Sequence, residues 1–389
     1  MLKRIDLKQN DIRAISAALS ASSIVNADVE QTVLAIINDV KIRGDEALCH
    51  YAEKFDGFIP ESFLVSDAEI DEAYNSCASD LIDAMERAAE RVRQFHRTQL
   101  HSGSSFDEGN LEVQTVYRPV NRAGCYVPGG RASYPSTVLM TVIPAVIAGV
   151  SDVVICTPPG EDGKISPAVL VASRIAGASS VYAIGGAQAV SAMAYGTASI
   201  SAVDVIVGPG NIYVATAQRM VSQDVGIAAA FAGPSEIAVI ADETANPKFA
   251  AIDLMVQAEH GPDGQAWLMS TDEKIIEAIL QELEILVNNS KRQQEIMSTF
   301  DQGGFAVLVK DLSQAFDVAN TVAPEHLQLM IENPENYLSL IQNAGAVFMG
   351  NMAPASVGDY YAGPSHVLPT DRSARFASAL TIHDFIKDI

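Results

Sequence analysis

The chain has 389 residues, 48% hydrophobic and 19% charged, so it can bury a large core, and whole-chain disorder is excluded. Its 25 Lys plus Arg against 48 Asp plus Glu leave a net charge of −23 with no run of basic residues, which argues against a nucleic-acid partner. The longest apolar stretch, residues 138–150, holds Thr141 and Pro144 and is too short to span a bilayer, so no membrane partner is expected.

At about 150 residues per domain, the length suggests two or three domains. Residues 1–10 are charged and lack the apolar core of a secretory signal. Cys49, Cys77, Cys125 and Cys156 lie far apart with no C-x-x-C, as expected of reduced thiols in a cytoplasmic protein. Apolar residues at helical spacing predict helices over 29–55 and 67–99, separated by the Gly/Pro turn FDGFIPES. From Leu111 charges thin out. Strand-like runs at 153–156, 181–184, 203–207, 237–240, 266–269, 306–309 and 346–349 alternate with helical stretches at 137–149, 167–176, 187–195, 212–222, 248–259, 273–288 and 312–320. Apolar strands without a polar face, alternating with helices, predict an α/β fold of parallel sheets covered on both sides. The expected organisation is a helical segment, 1–119, packing on the second of two α/β blocks, 120–234 and 235–389.

Ligands of open α/β sheets bind at the carboxyl ends of strands, so the loops after strands are where chemistry is expected. Residues 124–130, GCYVPGG, read as a Gly/Pro loop before a helix, able to offer backbone amides to an anion or simply to turn the chain. IGGAQAV brings Gly185, Gly186 and Gln188 to the start of a helix, and VGPGNIYV does the same with Gly208, Gly210 and Asn211. Two strand–Gly loop–helix units in one block point to a dinucleotide. Neither is G-x-G-x-x-G, and no ribose-binding acid follows at the usual spacing. Ser235, in AGPSEIAVIAD, is read either as a substrate contact or as a turn cap.

The second block gathers the imidazoles. QAEHGPD holds Gln257, Glu259, His260 and Asp263, APEHLQLM holds Glu325 and His326 before a strand, and SVGDYYAGPSHVLPT holds Asp359 and His366. These are three of the seven histidines; His50, His96, His101 and His383 are read as surface groups. Imidazole with carboxylate or amide oxygen suits a borderline divalent metal such as zinc, and imidazole beside carboxylate suits acid–base work near neutral pH. Cys125 is read as a packed side chain rather than a nucleophile.

Taken in order, GCYVPGGRASYPSTVLM, IGGAQAV, VGPGN, AGPSEIAVIAD, QAEHGPD, APEHL and GDYYAGPSHVLPT resemble histidinol dehydrogenase, as does the earlier DVKIRGDEALCHYAEKFDG. The resemblance runs from about residue 25 onward. It implies two incomplete Rossmann-like parallel-sheet domains, a homodimer, and NAD-dependent oxidation of L-histidinol through L-histidinal to L-histidine with one zinc ion. It implies that Glu325 and His326 are the acid–base pair, that Tyr126, Gln188 and Asn211 contact NAD, and that Gln257, His260 and Asp359 hold zinc. By the same resemblance the substrate meets Ser235, Gln257, His260, His326 and Asp359.

Family members continue with a helical tail that supplies a further zinc-binding His and a substrate-binding Glu. The sequence ends at Ile389, and the expectation is a metal site with one donor fewer and an open position. Ala355 stands where the family commonly has Glu, and Ser365 where it commonly has Asn. The alternatives to histidinol oxidation are another amino alcohol or hydroxy acid as substrate, or a non-catalytic protein that binds a nucleotide or a partner.

Overall fold

A computed structural model describes residues 2–8, 12–20, 27–129, 133–228, 233, 235–259 and 264–389. The chain opens with strand β1 (Lys3–Asp6) and helices α1 (Arg13–Ser20), α2 (Ala27–Arg43), α3 (Asp45–Asp56), α4 (Asp67–Ser76) and α5 (Ser79–Arg97). Then come β2 (Arg122–Tyr126), α6 (Pro135–Ala148), β3 (Asp152–Thr157), α7 (Pro167–Ala176), β4 (Ser180–Ala183), α8 (Gly186–Tyr195), β5 (Val205–Val207), α9 (Ile212–Val221) and β6 (Gly226–Ala228). The remainder holds β7 (Glu236–Ala241), α10 (Pro247–Ala258), β8 (Gln265–Ser270), α11 (Glu273–Asn288), α12 (Gln293–Gly303), β9 (Gly304–Leu308), α13 (Leu312–Val322), β10 (His326–Met330), β11 (Ala346–Met349) and α14 (Ala355–Tyr360).

The chain divides into two compact units. One is built mainly from Asn26–Ala232 and the other mainly from Gly233–Gly358 with Met1–Val25. The first unit carries a five-stranded parallel sheet in the order β4-β3-β2-β5-β6. The second carries a six-stranded parallel sheet, β1-β9-β8-β7-β10-β11. Strand order reverses between β2 and β5 in one and between β7 and β10 in the other, the half-Rossmann arrangement. The expected α/β class with parallel sheets is therefore present.

Both faces of each sheet are buried, which is why the strands read as continuous apolar runs. In β3, Val153 and Ile155 enter a core with Val142, Ile143 and Val92, while Val154 and Cys156 enter one with Val33, Ile37 and Met193. In β7, Ile237 and Val239 face Leu254 and Ile279, and Ala238 and Ile240 face Trp267 and Phe316.

Several expectations need correction. Helices α2 to α5 were expected on the second block, yet α2 packs on α8 and α9, α4 on α7, and α5 on α6. Their apolar stripes (Val33, Ile36, Ile37 and Val40; Met85, Ala89 and Val92) fill the two faces of the first sheet. Among the described residues of that segment, β1 and α1 belong with the second sheet, β1 pairing with β9 and α1 packing on α13. The helix expected over 29–55 breaks at Gly44, whose φ of 54° is left-handed. The one over 67–99 breaks at Cys77 and Ala78, which are extended. GCYVPGG is not all loop: Gly124, Cys125 and Tyr126 lie in the central strand β2. Glycine within that strand leaves room for the buried Met193, whose Sδ would lie 2.6 Å from a Cβ at position 124. His96 is buried, with Nδ1 2.8 Å from Gln99 Oε1, rather than on the surface.

Candidate functional site

In the first unit the unusual loops gather at the carboxyl ends of the strands, as the topology requires. Tyr126 ends β2, the turn at Gly185–Gly186 follows β4, and Gly208 follows β5. The Tyr126 hydroxyl accepts a hydrogen bond from the Gly186 N–H at 3.0 Å, and burial pushes its pKa up to about 12. A Cβ at Gly185 would lie 2.5 Å from Pro158, and Gly186 has φ 70°, so this close turn at the start of α8 requires its glycines. The result is a cleft of about 440 Å³ whose lining includes Tyr126, Pro158, Gly186, Gln188 and Asn211.

Two side chains of this cleft have distinct states. Gln188 is 3% exposed, and its buried Oε1 has no hydrogen-bond partner among the described residues. Such an oxygen calls for an N–H or O–H donor from a ligand or water. Asn211 caps α9, its Oδ1 accepting from the Tyr213 and Val214 N–H groups at 3.0 and 3.1 Å. Its carbonyl oxygen is thus committed to the helix. Glycine turns, helix N-termini and an orphaned amide oxygen fit a dinucleotide.

In the second unit the candidate pair lies at the amino ends of the strands, before a strand as APEHLQLM is read, and not at the carboxyl ends that the general rule for open α/β sheets favours. His326 begins β10, Glu236 begins β7, and Ile237 pairs with His326 across the ladder. Ser235 directly precedes β7, and its carbonyl accepts from the Gln265 N–H at the start of β8. The carboxyl ends are closed by Asp242, which accepts from Thr244 N–H, Thr244 Oγ1 and Glu332 N–H at 2.8, 2.6 and 2.7 Å. The Asp242 carboxylate is thus committed to these loop donors.

Glu325 and His326 are both buried. Glu325 Oε2 accepts from the Glu236 N–H at 3.1 Å and lies 3.5 Å from His326 Nδ1. The same Nδ1 is 3.2 Å from the Glu236 carbonyl oxygen, so it serves as the donor. The imidazole also stacks on Phe348 at 5.8 Å between ring centroids. Glu236 itself was missed. Its carboxyl is 1% exposed with Oε2 unpartnered among the described residues. Burial first, then the charges of Glu325 and Asp371, push its pKa up to about 8. The signal was present in the sequence: an acid opening an otherwise apolar strand, EIAVIA.

The expected metal ligands are less fully described. Gln257 is buried in the last turn of α10, and Asp359 lies in α14 with its carbonyl oxygen 2.7 Å from His366 Nδ1. His260 and Asp263 lie outside the described residues. Among the described residues no three His, Cys, Asp or Glu side chains are gathered as a metal site. The donor chemistry of Gln257, His260 and Asp359, one amide oxygen, one imidazole and one carboxylate, still suits zinc. Ser365 is structural, donating to the Met140 carbonyl and accepting from the Val367 N–H. Cys125 is fully buried and its thiol is pushed up to about 12 by desolvation, which agrees with a packed side chain.

Two half-Rossmann sheets, one with a glycine-walled cleft and one with a buried carboxylate–imidazole pair, define a protein of the two-sheet Rossmann-like class. A family model for histidinol dehydrogenase matches residues 19–389. Histidinol dehydrogenase of Methanocaldococcus jannaschii is 46% identical over 364 residues, covering 93% of this chain and 84% of that protein. The enzyme of Methanothermobacter thermautotrophicus is 44% identical over 379 residues, covering 97% and 88%. The crystal structure of histidinol dehydrogenase from Elizabethkingia anophelis superposes with a TM-score of 0.95 at 36% identity, covering all of this chain and 89% of that one. The chain belongs to the histidinol dehydrogenase family, a family of oxidoreductases.

Proposed function

We propose that this chain oxidises L-histidinol through L-histidinal to L-histidine, passing one hydride to NAD in each of two steps. It would act in the cytoplasm as a homodimer, as the family resemblance implies. The observation that carries the reading is the buried Glu325–His326 pair, with His326 Nδ1 held by a backbone carbonyl.

His326 Nε2 takes the proton of the substrate hydroxyl as hydride leaves its carbon. Glu325 takes a proton from the water that adds to the aldehyde, giving the hydrate that is oxidised in the second step. Ser235 contacts the substrate at the mouth of the same strand ends. Tyr126, Gln188 and Asn211 bind the cofactor: Gln188 offers its orphaned carbonyl oxygen, and Tyr126 keeps the Gly186 turn in place. NAD, when bound, supplies the hydride acceptor. Zinc, when held by Gln257, His260 and Asp359, supplies an anchor for the substrate's imidazole and amine.

The test is metal analysis of the purified chain together with NADH formation from histidinol. Zinc content near one per chain and two NADH per histidinol support the reading. Turnover of other alcohols without histidinol would replace the substrate, and no reduction with any alcohol would end the enzymatic reading.

A further inference from the structure

A Rossmann unit usually presents an acid to the nucleotide ribose from a position about 20 residues after its glycine loop. The acid nearest that spacing, Asp204, accepts from the Asn121 and Arg122 N–H groups at the start of β2 and does not line the cleft. The fold supplies one from the other direction along the chain. Asp56, the last residue of α3, lines the same cleft as Tyr126, Gly186 and Gln188. It is held there because α3 stops at Gly57, whose φ of 83° turns the chain while its N–H caps the Ala52 and Glu53 carbonyls.

Asp56 is half-buried and makes no ion pair or side-chain hydrogen bond among the described residues. Desolvation alone raises its pKa, and its charge reaches the Tyr126 phenol across the cleft. A carboxylate in that state can accept hydrogen bonds from a ligand that enters the cleft. The vicinal hydroxyls of a ribose provide two, whereas a 2′-phosphate presents a second negative charge. Lys54 is the competing group on the same wall. It is exposed, with its ammonium 5.3 Å from the Phe55 ring centroid, so solvent screens it more than it screens Asp56.

We propose that Asp56 is the ribose-recognition residue of this cleft, accepting hydrogen bonds from the ribose hydroxyls of the dinucleotide and excluding its 2′-phosphorylated form. The proposal rests on reading the cleft as the NAD site. Calorimetric titration of the full chain with NAD and NADP, without substrate, tests it. Wild type is expected to bind NAD roughly 100-fold more tightly than NADP. The isosteric Asp56→Asn should weaken NAD about 10-fold and leave NADP unchanged or tighter, while Lys54→Ala should not narrow the ratio. Equal weakening of both nucleotides in Asp56→Asn, or none, overturns the proposal, and Gln188→Ala then shows whether the cleft still binds NAD. If wild type binds neither nucleotide, the reading of the cleft falls with it. Thermal melts of Asp56→Asn and Asp56→Ser separate lost contacts from lost fold.

Discussion

The main-chain N–H of Glu236 donates to the carboxylate of Glu325 at 3.1 Å, joining the amino ends of two neighbouring parallel strands. The carbonyl of the same residue lies 3.2 Å from His326 Nδ1. One peptide-bearing residue therefore fixes both members of the pair, one through each main-chain group. On the proposed mechanism, His326→Ala should lower kcat by roughly 10²–10⁴-fold while circular dichroism and NAD affinity stay as in wild type. Glu325→Gln should slow oxidation of histidinal more than that of histidinol. Single-turnover rates measured with each substrate check this, and equal slowing of both steps would remove the water-activating role from Glu325.

Glu236 also makes a stability prediction. Its carboxyl titrates near the ordinary 4.5 in the unfolded chain and at about 8 when folded. Between those values the folded state holds the extra proton. Stability is then fullest below about pH 4.5 and is lost as pH rises toward 8. Glu236→Gln removes that titration. Its melting temperature should gain on wild type as pH rises from 5 to 8.5, by an amount corresponding to at most about 4 kcal/mol. A difference between the two proteins that does not change with pH would mean that Glu236 is ionised in the fold.

Much of this architecture was legible in the sequence. Strands buried on both faces have no polar alternation to interpret, so runs such as Val153–Cys156 and Ile237–Ile240 stand out by apolar content alone. Helices α7 and α11 fall where the spacing put them. The misses have local causes. Gly124 made β2 look like a loop, because its close approach to Met193 is a long-range contact. The partner sheet of α2 to α5 could not be read, since an apolar stripe does not name its partner. The site was legible as motifs more than as geometry: APEHL gave Glu325 and His326 before a strand, where they stand, but nothing in it shows that Glu236 of the neighbouring strand holds both, and Asp56 reaches its cleft from a helix far earlier in the chain.

The thiols offer a simple check on the core. Burial pushes Cys125 and Cys156 up to about 12, while Cys49 and Cys77 are half-buried. At pH 8 the thiolate fraction of the first two is about one part in ten thousand. A disulfide reagent should therefore label at most Cys49 and Cys77 in the native protein and all four cysteines after denaturation. Cys125→Ala should keep kcat within about two-fold. Rapid native labelling of Cys125 would mean that the first sheet opens far more readily than its packing implies.

Gly208 tests how the cleft is held open. It follows β5 with φ 109°, and a Cβ there would sit 2.2 Å from the Tyr126 carbonyl oxygen, a backbone atom that cannot swing away. Its own carbonyl accepts from Gln218 Nε2 at 3.0 Å, which fixes the turn against α9. Gly57 is the control, since it also has positive φ (83°) but nothing within 4 Å of an added Cβ. Gly57→Ala should cost only the left-handed backbone penalty, about 1–2 kcal/mol. Gly208→Ala adds a clash that must part the carboxyl ends of β2 and β5, so about 3 kcal/mol or more is expected, with NAD affinity falling alongside. Denaturant melts of the two variants with calorimetric NAD titration measure the difference. Equal costs would show that the β2–β5 edge yields freely and that the cleft wall is not rigid there.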